Sequence, residues 1–352
     1  MPDWTKSMRQ TFEYYTVDPG TWENNDSITT VTSSSITNDS TAETLGSATI
    51  DIKESVGECY IRIYLVTNQN GLTERFPLGT FLVQSPSSSF NGKTRSVSMD
   101  AYTPLLELKE NPPPFGYSLY KGVNIMDTAY KLIREHARAP VIKTSCSDIL
   151  QYDFIANTDD TWLTYVSDLI ANSKYELSLD ELGRILFSPK QDTASLRPVW
   201  TYNDDNSSIL YSDISMDHDI YGIPNVVEVV YSRNAGNYYT KAVNNDSSSP
   251  LSIQNRGREI IHREIDPDIN GIPSNAQLDE YAKQLLRDLS TVEYTISYSH
   301  GYCPVRVGDC VRLNYKRAGL SDIKAKVISQ TIKCEAGCTV EEKAIFTQSL
   351  WG

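Results

Sequence analysis

From Val292 to Ser299 the chain alternates without a break, with Val292, Tyr294, Ile296 and Tyr298 on one phase and Glu293, Thr295, Ser297 and Ser299 on the other. A two-residue period is that of a β-strand with one face in a core and the other in water. A second stretch, Gly222 to Ser232, organises the rest. Gly222 and Pro224 punctuate its start, Val227, Val229 and Tyr231 share one face, and Val226, Glu228 and Val230 share the other. This strand is expected to close one β-rich region and open a second.

The first region offers four strand candidates, Ser47 to Ile52, Cys59 to Thr67, Phe76 to Gln84 and Thr94 to Asp100. Asn70-Gly71 and Asn91-Gly92 between them are hairpin signals, because both residues tolerate positive φ. Ahead of these, Ser27 to Thr44 is mostly Ser, Thr, Asn and Asp with isolated Ile28, Val31 and Ile36, and is expected to be an exposed hairpin or arm. The prolines at 112 to 114 end the run, since proline fixes φ and donates nothing to a ladder. Helical spacing follows: Asn124 is placed to cap a helix carrying Met126, Ala129, Tyr130 and Ile133, and Thr161 to cap one carrying Trp162, Val166, Leu169 and Ile170. A hairpin around Asp180 to Gly183 and a strand-like stretch from Val199 to Ile214 lead back to the crossing segment. In the second region Ser274 and Gln277 form a capping box for a helix with Leu278, Tyr281, Ala282, Leu285 and Leu289 on its stripe.

These readings predict an α+β, mainly β chain: a first β domain over 1–105 plus 190–221, an inserted α/β domain over 106–189, and a second β domain with one helix over 222–352. A formal charge of -13 over 352 residues argues against a sequence-reading nucleic-acid binder, which needs clustered Lys and Arg. Met1 to Gly20 carries no apolar run, so neither a signal peptide nor a membrane insertion is expected. Six cysteines, at 59, 146, 303, 310, 334 and 338, are too sparse for a disulfide framework.

No spacing announces catalysis, and each chemical constellation has a plainer reading. Asp266, Asp268, Asn270 and Gly271 begin like a calcium loop, but Gln277 stands where a bidentate Glu is needed. Cys303, Cys310, Cys334 and Cys338 lack the short spacing of a zinc knuckle. His136, His218, His262 and His300 are scattered, with His218 expected in a solvated turn between Asp217 and Asp219. The acid pairs Asp159-Asp160, Asp204-Asp205 and Glu341-Glu342 are read as solvated faces, not glycosidase pairs. Trp4, Trp22, Trp162, Trp200 and Trp351 are assigned to packing. Catalytic, cofactor and metal residues are therefore expected to be none.

Six segments in serial order carry a resemblance: FPLGTFLV from Phe76, SMDAYTPLLEL from Ser98, KGVNIMDTAYKLIREHA from Lys121, TWLTYVSDLIANSKYELSLDELGRILFSP from Thr161, PNVVEVVYS from Pro224 and YCPVRVGDCVRL from Tyr302. Together they resemble the bacteriophage tail hub, or baseplate hub, family, related to late control protein D and to the spike base of type VI secretion. The resemblance is to the version typical of phages with Gram-positive hosts. The resemblance implies two tube-type β-barrel domains with an inserted α/β domain, and no enzymatic role. It implies a homotrimer in the virion tail tip, made in the host cytoplasm. Its implied partners are the distal tail protein and tail tube, a tape measure or spike or fibre protein, and DNA that passes without specific binding. A surface module for sugars or peptides is the alternative, and a cell-wall hydrolase a third.

Overall fold

A computed structural model describes residues 2–53, 56–90, 92–93, 95–191, 193–232, 238–267 and 273–350. Strand outweighs helix, 46% against 15%, so the class is mainly β with α segments. The chain gathers into two compact units, Met1–Ile214 with Tyr298–Ala344, and Ser215–Ser297 with Ile345–Gly352.

The first unit is built on a sheet whose order runs from Ile323–Lys333 to Val31–Asp39, Gly46–Ile52, Arg95–Tyr102, Leu72–Phe90, Tyr60–Gln69, Arg9–Val17 and Asn24–Ser27. This order is an open path, and no closed barrel is found among the described strands. Val31–Asp39 corrects the reading of an exposed arm. It is hydrogen-bonded on both sides, to Gly46–Ile52 and to Ile323–Lys333, and Ile36 is fully buried. Backbone pairing on two edges and one inward isoleucine hold a strand whose other side chains are nearly all polar. Through it the end of the chain joins the beginning, Ile332 standing opposite Ile36.

The helices begin where their caps predict. Asn124 accepts from Asp127 N at 2.9 Å ahead of Ile125–His136, and Thr161 with Thr164 closes a capping box on Trp162–Ala171. Their buried stripes, Met126, Ala129 and Ile133 on one and Val166, Leu169 and Ile170 on the other, share one apolar cluster with Val17, Tyr60 and Leu82 of the sheet and with Trp22 of the turn before Asn24–Ser27. The hairpin Tyr175–Leu179 with Ile185–Pro189 adds Leu177 and Phe187 to it. This shared core keeps the helical segment in the first unit with the strands that precede it.

The second unit holds a three-stranded sheet, Tyr238–Val243, Val226–Tyr231 and Ile261–Ile265 in that order. The helix Asn275–Leu289, started by the Ser274–Gln277 box, covers one face. Leu278, Ala282 and Leu286 are its fully buried residues, packed with Val227, Val229, Tyr231 and Ala242; Leu285 is only partly buried at the flank. No described helix is long and apolar enough to cross a membrane.

Candidate functional site

Two inward positions on neighbouring strands of the first unit carry charge-bearing side chains where the alternation calls for apolar ones. His300 continues the inward phase of Tyr298, and Glu342 lies between inward Val340 and Ala344. Both are buried, at 0% and 1% exposure. His300 Nε2 lies 3.3 Å from Glu342 Oε1, and His300 Nδ1 lies 2.7 Å from the Gly301 carbonyl. Tyr202 Oη also lies 3.1 Å from Nε2, and because the carboxylate and the carbonyl can only accept, this setting favours a ring protonated on both nitrogens. Gln330 Nε2 donates to Glu342 Oε1 at 2.6 Å and to Val305 O at 3.0 Å, and Tyr202 Oη donates to Glu342 Oε2 at 3.3 Å. Burial alone favours the neutral imidazole, but the contacts with Cys303 and Glu342 prevail and push its pKa up to about 10. Burial likewise favours protonated Glu342, and the imidazolium outweighs it, holding the carboxyl below its usual range. Cys303 Sγ lies 3.9 Å from His300 Nδ1, yet both residues are fully buried and the ring is held by other acceptors. The arrangement ties strands together and offers no reachable thiol–imidazole dyad.

A second buried charge sits where the hairpin turn meets the sheet. Arg62 is 4% exposed, and its hydrogen bonds go to neutral acceptors: Nε to Thr80 Oγ1 at 2.8 Å, Nη1 to Asn24 Oδ1 at 3.1 Å, and Nη2 to Trp22 O at 3.2 Å and Leu182 O at 3.1 Å. The Leu182 carbonyl also accepts from Trp22 Nε1 at 2.8 Å and Thr80 Oγ1 at 2.9 Å. Gly183, at φ +74°, lets the turn come this close, since a Cβ there would stand 2.7 Å from Thr80 Cβ. Glu181 in the same turn pairs with Arg306.

An open cleft of about 540 Å³ lies against Trp162, Tyr117, His136, Pro112 and Pro114. Trp162 is 4% exposed, and the His136 ring covers it at 4.2 Å and 16°. Little of the indole is left bare for a sugar ring to stack on, so Trp162 serves packing here.

The other candidates separate. Asp268, Asn270 and Gly271 lie outside the described residues, as does Trp351. Asp266 accepts from Ser232 N at 2.6 Å, and Gln277 is spent on the helix cap. Cys334 and Cys338 are close enough for burial and mutual repulsion to raise the Cys338 thiol, while Cys303 sits by His300 and Cys310 by the Val311 carbonyl. Among the described residues no group of three ligating side chains could hold a metal. His218 ends the strand Leu210–His218 and stacks on Tyr294 at 4.6 Å, where the sequence suggested a turn. Asp204 is held by Arg317 Nε at 2.9 Å. Glu341 pairs with Lys333 in solvent while its neighbour Glu342 turns inward, so the expected solvated pair is one surface acid and one buried acid.

No known protein-family profile matches the chain, and no curated protein matches it. Solved structures do. A tail protein from Neisseria meningitidis is 13% identical with a TM-score of 0.62, over 97% of this chain and 98% of that one. The 43 kDa tail protein of prophage MuSo2 from Shewanella oneidensis is 10% identical with a TM-score of 0.58, over 99% and 100%. A chain of the Francisella PdpA–VgrG complex is 10% identical with a TM-score of 0.55, over 97% of this chain and 53% of that one. At such identities the likeness is one of fold, and along nearly its whole length this chain has the fold of those tail proteins.

Proposed function

We propose that the chain is a structural hub of a phage or phage-like tail, forming a ring that caps the tail tube. The observation that carries this is the whole-length likeness to two tail proteins, which accounts for both units together. The likeness to a chain of a VgrG complex supports a place beside a spike. In this reading the chain works without catalysis, as a homotrimer in the virion tail tip, made in the host cytoplasm and kept out of membranes. It joins the distal tail protein to the tape measure, spike or fibre. The tube-type character of its two β regions, the inserted α/β segment and the Gram-positive host type belong to the same proposal. The charge of -13 suits a lumen that DNA must leave, because carboxylates repel phosphates and no counterion release rewards contact.

Native mass measurement of the chain with its distal tail partner tests the ring. Three copies per complex are expected, since two related β regions per subunit would present six similar edges to a sixfold tube. Six copies, or a stable dimer, would contradict it.

A further inference from the structure

In the second unit the strand Ile261–Ile265 has one neighbour, Val226–Tyr231, and its other edge is open among the described strands. Val226 N donates to Ile260 O at 3.1 Å and Asp266 N to Val230 O at 2.8 Å. Those even-numbered positions face the neighbour, so the backbone groups of Ile261, Arg263 and Ile265 face the open edge. The side chains of these three lie on the sheet face opposite the helix, because the helix covers Val227, Val229 and Tyr231. Ile261 and Ile265 are 46% and 64% exposed.

Charge across this face alternates. Lys241, Glu228 and Arg263 stand abreast on the three strands. Arg263 donates to Glu228 Oε2 from Nε at 3.1 Å and from Nη2 at 2.8 Å, and Lys241 Nζ reaches Glu259 at 3.0 Å. The Arg263 side chain is still 60% exposed, so its outer side remains open to a further carboxylate. A fourth strand continuing this row needs an acid opposite Arg263 and apolar residues opposite the two isoleucines. A second copy of this chain does not supply that. To that row the same edge of a second copy offers Ile261, Arg263 and Ile265, and the far edge, Tyr238–Val243, offers Tyr239, Lys241 and Val243, none of them an acid.

We infer that the Ile261–Ile265 edge docks an extended segment of another polypeptide, with Glu or Asp flanked two residues to each side by apolar side chains. The segment adds as a fourth strand: backbone hydrogen bonds hold it, and the Arg263 contact selects it. This inference stands whether or not the tail assignment does.

The test uses the full chain and two fluorescent nine-residue peptides, one with Glu at its centre, Val two residues to each side and Ser or Thr elsewhere, the other with Lys at its centre. The Glu peptide is expected to bind about tenfold more tightly. It is expected to protect the amides of Ile261, Arg263 and Ile265 from hydrogen exchange. Arg263→Glu should reverse the order of the peptides, and Ile265→Pro, which removes an outward N–H, should weaken both. Three results would overturn the inference: no preference between the peptides, a preference that survives Arg263→Glu, or a dimer of the chain alone that Arg263→Glu dissolves, which would give the edge to a second copy.

Discussion

Glu342→Ala is expected to destabilise the first unit by about 3–5 kcal/mol, because it leaves the His300 imidazolium buried without its counterion. Four of the five tryptophans, Trp4, Trp22, Trp162 and Trp200, belong to that unit, so urea unfolding followed by tryptophan fluorescence reports mainly on it, and Trp351→Phe as the common background removes the one signal from the second unit. The milder Glu342→Gln keeps the shape and removes the charge. It should also change the pH dependence. In the native protein the ring holds its proton up to about pH 10, whereas in the unfolded chain it loses it near the ordinary histidine value. The ring's contribution is therefore complete below about pH 6.5 and declines as pH rises through 10, because in that window the folded state binds the extra proton. Between pH 6.5 and 9 the wild type should lose stability at a rate on the order of 1 kcal/mol per pH unit, and Glu342→Gln should lose much of that slope. Equal slopes would mean that Glu342 does not hold the proton on His300.

Arg62→Met is the second large effect, at about 3 kcal/mol, since it strips a charged donor from the buried Trp22 carbonyl and from the half-buried Asn24 Oδ1. Leu182 O keeps Trp22 and Thr80, so the hairpin turn should stay docked while its amides exchange faster. Arg62→Lys should recover little, because one ammonium cannot span acceptors that a planar guanidinium reaches from three nitrogens. A loss under about 1 kcal/mol for Arg62→Met would show that the guanidinium's bonds barely exceed what it gives up on leaving water.

What the sequence makes legible here is local. Alternation from Val292 to Tyr298 marks a strand, and Asn124, Thr161 and Ser274 mark helix starts, because each signal is complete within a few residues. The same alternation, carried two residues further, points His300 inward, and on the next strand Val340, Glu342 and Ala344 share a phase; a polar residue on an apolar phase was the available signal for the buried pair. Its partner could not be read, since nothing in either strand says that they lie close enough for His300 to meet Glu342. Val31–Asp39 shows the same limit, as its stability comes from two ladders, one of them formed with residues 329–333. The Arg62 anchor was hidden for a different reason. Two of its four acceptors are backbone carbonyls, and a carbonyl at Leu182 looks like any other in a sequence.

The claim that this chain is a tail-tip structural protein is tested most directly by electron microscopy of purified particles carrying a small label fused to it. Label is expected on the tail axis at the end of the tube, in threefold arrangement. Label on the head, spread along the tube, or absent from intact particles would contradict it.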